Sequence, residues 1–164
     1  MQDMTEEQIA GKGHSLQLTY HDGNTRTVWV VDQEVSYPDG RLIVSCTDPG
    51  GIITQVNQSF VEMSGFNHDE LMGMPHAILR HPDMPAAAFK DLWDTVQAGK
   101  TWQGYVKNLR KDGCHYWVKA TVIPNIRNGN LVGYTSVRRK PSRKKIEECT
   151  ALYAEMCQSE QNAA

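Results

Sequence analysis

The hydrophobic positions of this chain change period twice. From Leu16 apolar residues alternate with polar ones: Leu16, Leu18 and Tyr20 precede His21-Asp22-Gly23-Asn24, and residues 27–31 follow it. A period of two around such a turn predicts a β-hairpin on Asp22-Gly23 or Gly23-Asn24. Tyr37-Pro38-Asp39-Gly40 predicts a turn, and residues 42–47 and 52–56, separated by Asp48-Pro49-Gly50-Gly51, predict a second hairpin. The period then lengthens. Asn57 is placed to cap a helix carrying Phe60, Val61 and Met63, and Asn67 with Glu70 has the spacing of a capping box for a short helix ending near Leu71. Pro75, Pro82 and Pro85 break the next stretch, which predicts a loop with one helical turn near residues 77–79. Pro85 suits the first position of a helix whose Phe89, Leu92, Trp93 and Val96 share a face, with Gly99 as its stop.

Beyond Gly99 the period returns to two. Residues 102–110, 114–124 and 131–139 read as three strands joined by turns at Lys111-Asp112-Gly113 and Arg127-Asn128-Gly129-Asn130. After Pro141, Ser142 is placed to cap a final helix with Ile146, Cys149, Tyr153 and Met156 at mostly three- and four-residue spacing. Two strands, three helices and a three-strand meander predict an α+β fold: one antiparallel five-stranded sheet, short helices on one face, and a cavity between them. The organisation expected is a flexible lead over 1–15, an N-terminal extension with a β-ribbon over 16–36, a compact domain over 37–141, and a linker helix over 142–164 that leaves the domain.

Composition narrows the class. With 164 residues, 40% of them hydrophobic and 22% charged, the chain suits one globular domain, and its apolar runs are far shorter than a membrane span of about 18 residues. The first residues lack a signal-peptide pattern, so a cytoplasmic location is expected. Cys46, Cys114, Cys149 and Cys157 form no C-x-x-C or zinc spacing, which argues against disulfides and a structural metal. Net charge is −2, yet residues 1–100 hold 6 basic and 14 acidic side chains while 101–164 hold 11 and 5. The run Arg138, Arg139, Lys140, Arg143, Lys144 and Lys145 is read as a solvated strand end and linker, so no nucleic-acid partner is expected.

The candidate chemistry concentrates in Arg80-His81-Pro82-Asp83-Met84-Pro85. Prolines hold the backbone, so a guanidinium fork and an imidazole can be presented to a phosphate or ribose at little ordering cost. A plain ion pair between Arg80 and Asp83 is the alternative. Trp93, Trp102 and Trp117 offer flat apolar area for a planar ring or for ordinary core packing. Asn57 is a helix cap or an amide ligand. Asn108 shares a strand face with Trp102, Gly104 and Val106, and an inward amide needs partners. No P-loop, G-x-G-x-x-G, H-E-x-x-H or G-x-S-x-G occurs, and no catalytic constellation is evident.

The stretch 73–89, GMPHAILRHPDMPAAAF, resembles the R-H-P-D-M-P signature of PAS domains of the aerotaxis-receptor type. The resemblance continues through Leu92-Trp93, W-x-G-x-V-K-N from Trp102 to Asn108, K-x-G-x-x-Y-W-V from Lys111 to Val118, and G-Y-x-S-V-R from Gly133 to Arg138, covering residues 38–157. It implies the PAS fold, bound FAD, and a non-enzymatic sensor of redox, oxygen or electron-transport status. Partners implied are a second copy and a chemotaxis-type signalling domain outside this chain. The candidate flavin contacts are Asn57, Arg80, His81, Asp83, Trp93, Trp102, Asn108 and Trp117. Light-sensing flavin domains of the LOV type share this fold but place a cysteine where this chain has Pro75-His76-Ala77-Ile78, so a cysteinyl adduct is not expected. A haem PAS sensor using His76, His81 or His115, and a cofactor-free dimerisation module, are the alternative readings.

Overall fold

A computed structural model describes residues 1–164. Its order is β1 (His14–Thr19), β2 (Thr25–Val30), β3 (Ile43–Thr47), β4 (Ile53–Val56), α1 (Gln58–Ser64), α2 (His68–Leu71), a 3-10 turn at His76–Leu79, α3 (Ala86–Gln97), β5 (Trp102–Leu109), β6 (His115–Arg127), β7 (Asn130–Arg139) and α4 (Arg143–Ala163). Five strands form one antiparallel sheet in the order β4-β3-β7-β6-β5, and β1 and β2 form a separate ribbon.

Local chemistry accounts for most boundaries. Asn57 accepts the backbone N–H of Phe60 at 3.1 Å to open α1, and Ser142 accepts that of Lys145 at 3.2 Å to open α4. Asn67 and Glu70 form the capping box of α2. The β6–β7 hairpin turns on Asn128 and Gly129, both at positive φ (51° and 77°), the two-residue turn whose twist matches its strands. Pro85 stands one position outside the helix it was expected to begin, as the N-cap residue of α3.

The sheet is covered on both faces. Its inner face carries Ile43, Tyr116, Val118, Ala120, Val122 and Tyr134 against Phe60 and Met63 of α1, Leu71 of α2 and Val96 of α3. The adjoining turn contributes Ile78 and Leu79. On the outer face Trp117 packs with Ile146 and Cys149 of α4, flanked by Tyr105 and Tyr153. A third cluster joins the ribbon residues Leu18, Tyr20, Val28 and Val30 to Leu109 of β5 and to Met4.

Two expectations change. The leading residues are packed: Met4 is buried, its N–H donates to the Thr27 carbonyl at 2.9 Å, and Arg26 Nε donates to the Gln2 carbonyl at 2.6 Å. The ribbon leaves an apolar strip and unpaired carbonyls that this segment covers, which its own polar composition does not reveal. Nor does α4 leave the domain. It lies back across the outer face, where Tyr153 stacks on Trp117 with ring centroids 6.1 Å apart and its hydroxyl donates to the Tyr105 carbonyl at 2.7 Å. There Ile146 and Cys149 of the apolar stripe read from the sequence are buried and Tyr153 and Met156 half-buried.

Candidate functional site

The loop that follows the 3-10 turn runs along the free edge of β5. Arg80 bridges Asn108, and the N–H of Lys107 reaches the Met84 sulfur at 3.3 Å. The alternative reading, an Arg80–Asp83 ion pair, does not form. Asp83 pairs with Lys107 at 2.7 Å. Burial alone would raise its carboxyl, yet the Lys107 ammonium bonded to it holds it below the usual range.

His81 is 1% exposed, and its Nδ1 accepts the Asp83 N–H at 3.0 Å. The neutral ring therefore carries its proton on Nε2. That Nε2–H is buried and has no partner, and burial together with Lys107 pushes the imidazole pKa down to about 3. Arg80 makes no carboxylate pair either. Its guanidinium lies 5.1 Å over the Phe89 ring, NH1 donates to the Thr19 carbonyl at 3.4 Å, and Nε is buried without a partner.

On the inner sheet face a second set of polar groups stands among apolar ones. Strand alternation turns Tyr134, Ser136 and Arg138 of β7 inward with Ser45 of β3, and Asn108 lies opposite Tyr116 in the β5–β6 register. Arg138 is 4% exposed. Its NH2 donates to Ser45 Oγ at 3.0 Å and to His76 Nε2 at 2.7 Å, and its carbon lies 5.3 Å over the Phe60 ring. It has no carboxylate partner, and burial lowers its pKa to about 10. Because Arg138 only donates, His76 Nε2 must accept, which fixes a neutral ring; burial and the adjacent guanidinium push its pKa to about 3.

Arg138 NH1, Asn108 Nδ2, Tyr116 Oη and Tyr134 Oη are all buried without hydrogen-bond partners. An uncompensated buried polar atom costs about 1–3 kcal/mol, so a group of them marks a surface built for something that completes it.

Of the residues singled out from sequence, Asn108, Trp93 and Trp102 belong to this inner face. Trp102 lies against Gly104 with its Nε1 donating to Asp91 at 2.8 Å, and Trp93 meets Tyr134 edge-on at 5.5 Å. A side chain at Gly104 would overlap the Trp102 ring. Asn57 and Trp117 stand elsewhere. Besides capping α1, Asn57 accepts the Val44 N–H at 3.1 Å and donates to the Leu42 carbonyl at 2.9 Å, so its amide is committed to joining β3 to α1. Trp117 points to the outer face under α4, because the residues on either side of it, Tyr116 and Val118, take the inner one.

Arg138 is the residue that sequence reading missed. Its place in a basic run reads as solvated, although the alternation Tyr134, Ser136, Arg138 signals an inward position. The rest of that run is exposed as expected, with Lys140 paired to Asp39 at 2.7 Å and Arg143 to Glu34 at 2.6 Å.

The chain matches the family described as PAS fold, whose model covers residues 53–138. The chain belongs to that family. It is 43% identical over 125 residues to the aerotaxis receptor of Escherichia coli K12, covering 76% of this chain and 25% of the receptor. It is 29% identical over 126 residues to phototropin-2 of Oryza sativa subsp. japonica, 75% of this chain and 14% of that one. This chain thus spans about a quarter or less of these relatives. Among solved structures, the LOV domain of the blue-light photoreceptor Aureochrome1 in its light state superposes with a TM-score of 0.58 at 24% identity, over 73% of this chain and 91% of that one. A Light-Oxygen-Voltage domain studied with a flavin analogue does so with a TM-score of 0.56 at 23% identity, over 75% and 87%. No helix is long and apolar enough to cross a membrane.

Proposed function

We propose that this PAS domain is a sensor that binds FAD between its sheet and helices and reports redox, oxygen or electron-transport status to a chemotaxis-type signalling domain. The observation that carries the reading is the set of buried, unpartnered groups on the inner face and the adjoining loop: Arg138 NH1, Asn108 Nδ2, Tyr116 Oη and His81 Nε2. An isoalloxazine ring fits that set, being flat and apolar across its faces and rich in carbonyl oxygens and ring nitrogens along one edge. Relatives that include an aerotaxis receptor and a LOV domain studied with a flavin analogue support it.

Arg80 and His81 hold the phosphate arm, one as a fork donor and the other through its free Nε2–H, beside Asp83 on its Lys107 anchor. Asn108 and Arg138 meet the polar edge of the ring, with Trp93 and Trp102 as apolar neighbours. When bound, the flavin supplies a reversible two-electron couple. A residue that can both donate and accept, such as the Asn108 amide, then reports which state the edge is in. The domain works as a signalling module that passes its state to an output domain, a reading supported by its likeness to an aerotaxis receptor.

The purified protein's absorption spectrum tests this, followed by mass identification of the released cofactor. FAD bands and the FAD mass are expected. A sharp Soret band would replace the reading with haem, and a colourless protein that fails to take up added FAD would make the domain a dimerisation module.

A further inference from the structure

The first turn of α3 has no cap of its own. Pro85 occupies the N-cap position without a side-chain hydrogen bond, Ala86, Ala87 and Ala88 follow, and no acidic residue lies in that turn. Four N–H groups at a helix start need acceptors, and three alanines supply none. The acceptor comes from far along the chain. Glu160, near the end of α4, accepts the N–H of Ala86 at 3.0 Å through Oε2 and that of Ala87 at 2.9 Å through Oε1. A carboxylate there also complements the positive end of the α3 dipole. One turn earlier on α4, Cys157 Sγ donates to the Asp83 carbonyl at 3.4 Å. The Cys157 contact falls on the loop between His81 and α3 and the Glu160 contacts on the first two residues of α3; that loop also carries the Asp83–Lys107 pair and borders the unpartnered His81 Nε2.

We propose that the last turns of α4 are a strap latched by Glu160 and Cys157 to the 81–87 segment, so that this loop and the exit helix loosen and tighten as one unit. The other holds on α4 are Ile146 and Cys149 against Trp117, the Arg143–Glu34 pair, the Tyr153–Trp117 stack and the Tyr153 hydroxyl bond to β5, all at or before Tyr153, so beyond it the helix is held by the half-buried Met156 and the latch. Its neighbouring residues there, Leu152, Ala154, Glu155, Gln158 and Ser159, are exposed. Coupling of this kind is reciprocal: whatever stiffens the loop holds the strap, and whatever releases the strap loosens the loop. The proposal stands apart from the flavin reading, since every contact in it lies within the chain.

Hydrogen exchange on the full chain as purified tests it. Glu160→Ala is expected to speed exchange roughly three- to thirtyfold at residues 84–90 and at 153–163, the range set by losing one helix cap, with β6 and β7 unchanged. Alanine has the higher helix propensity, so faster exchange within α4 reports lost docking rather than a weaker helix. Glu155→Ala, on an exposed position of the same helix, should move neither segment. From the loop side, Lys107→Met removes the anchor of Asp83 and should speed exchange at 153–163 although its ammonium bonds Asp83 and no residue of α4. If Glu160→Ala loosens α4 alone, or Lys107→Met leaves 153–163 unchanged, the two are not coupled and the strap is overturned. Should Glu160→Ala disturb β6 and β7 as well, Glu160→Gln, which keeps one acceptor oxygen, carries the same comparison. A colourless protein that takes up no added FAD would end the flavin reading and leave this result standing.

Discussion

The Arg138 guanidinium donates to Nε2 of His76 at 2.7 Å in the interior, a cation held by a neutral imidazole and a serine rather than by a carboxylate. An arrangement that leaves a buried positive charge uncompensated is costly for the fold and useful for a ligand with an electron-rich edge.

Arg138→Met keeps the volume and removes the charge. Losing the bonds to Ser45 and His76 costs about 1–3 kcal/mol, and relieving an unpaired buried ion offsets a similar amount, so the cofactor-free melting temperature should hold or rise. Flavin affinity should fall at least roughly tenfold, the effect of losing one charge-assisted contact. Equal affinity in variant and parent, measured by titration of cofactor-free protein, would take Arg138 out of the site.

Acid should act through the histidines before the carboxylates. The folded pKa values of His76 and His81 lie near 3, below the ordinary 6.5, so the unfolded chain binds the extra protons. Stability is full above about pH 6.5 and declines as pH falls toward 3, each histidine adding about 1.4 kcal/mol per pH unit to the slope within that window. His76→Gln, whose amide oxygen still accepts from Arg138, should remove one proton's worth of slope between pH 6.5 and 5 in denaturant titrations. An unchanged slope would mean that His76 titrates normally in the folded protein.

Asn57 and Arg80 should separate cleanly. Asn57→Ala loses the α1 cap and two strand contacts, costing about 1–3 kcal/mol by chemical denaturation while leaving the flavin-to-protein ratio intact. Arg80→Ala should do the reverse, giving a folded protein largely without flavin. A wild-type ratio in Arg80→Ala would remove it from the phosphate arm.

Trp117→Ala should cost about 3–5 kcal/mol, as truncating a buried tryptophan does, and detach α4 from the outer face without emptying the inner one. Loss of flavin in that variant, with the sheet still folded by circular dichroism, would show that the two faces share the site after all.

Asn108→Ala should bind flavin more weakly and should lose the difference in hydrogen exchange between oxidised and dithionite-reduced protein. If it binds FAD and keeps the full difference, the reporter is another inner-face group, with Tyr116 the neighbour across the register.

Local structure was legible because its causes are local. The caps at Asn57, Asn67 and Ser142, the turns at Gly23 and Gly129, the 3-10 turn after Pro75 and the three meander strands each follow from residues within a few positions of one another, and the structure reproduces them. The five-stranded sheet followed from the order of those elements. Alternation likewise put Asn108 on one face with Trp102. What alternation cannot supply is which face is inner. That choice is made when α1 to α3 settle on one side of the sheet, and it sends Trp117 outward to α4 while drawing Arg138 out of a basic run into the core. The packed lead, the returning exit helix and the Glu160 cap on α3, formed across 73 and 74 positions of sequence, have the same origin. Each joins groups that only the pairing of distant strands brings within reach, so the residues were visible along the chain and their partners were not.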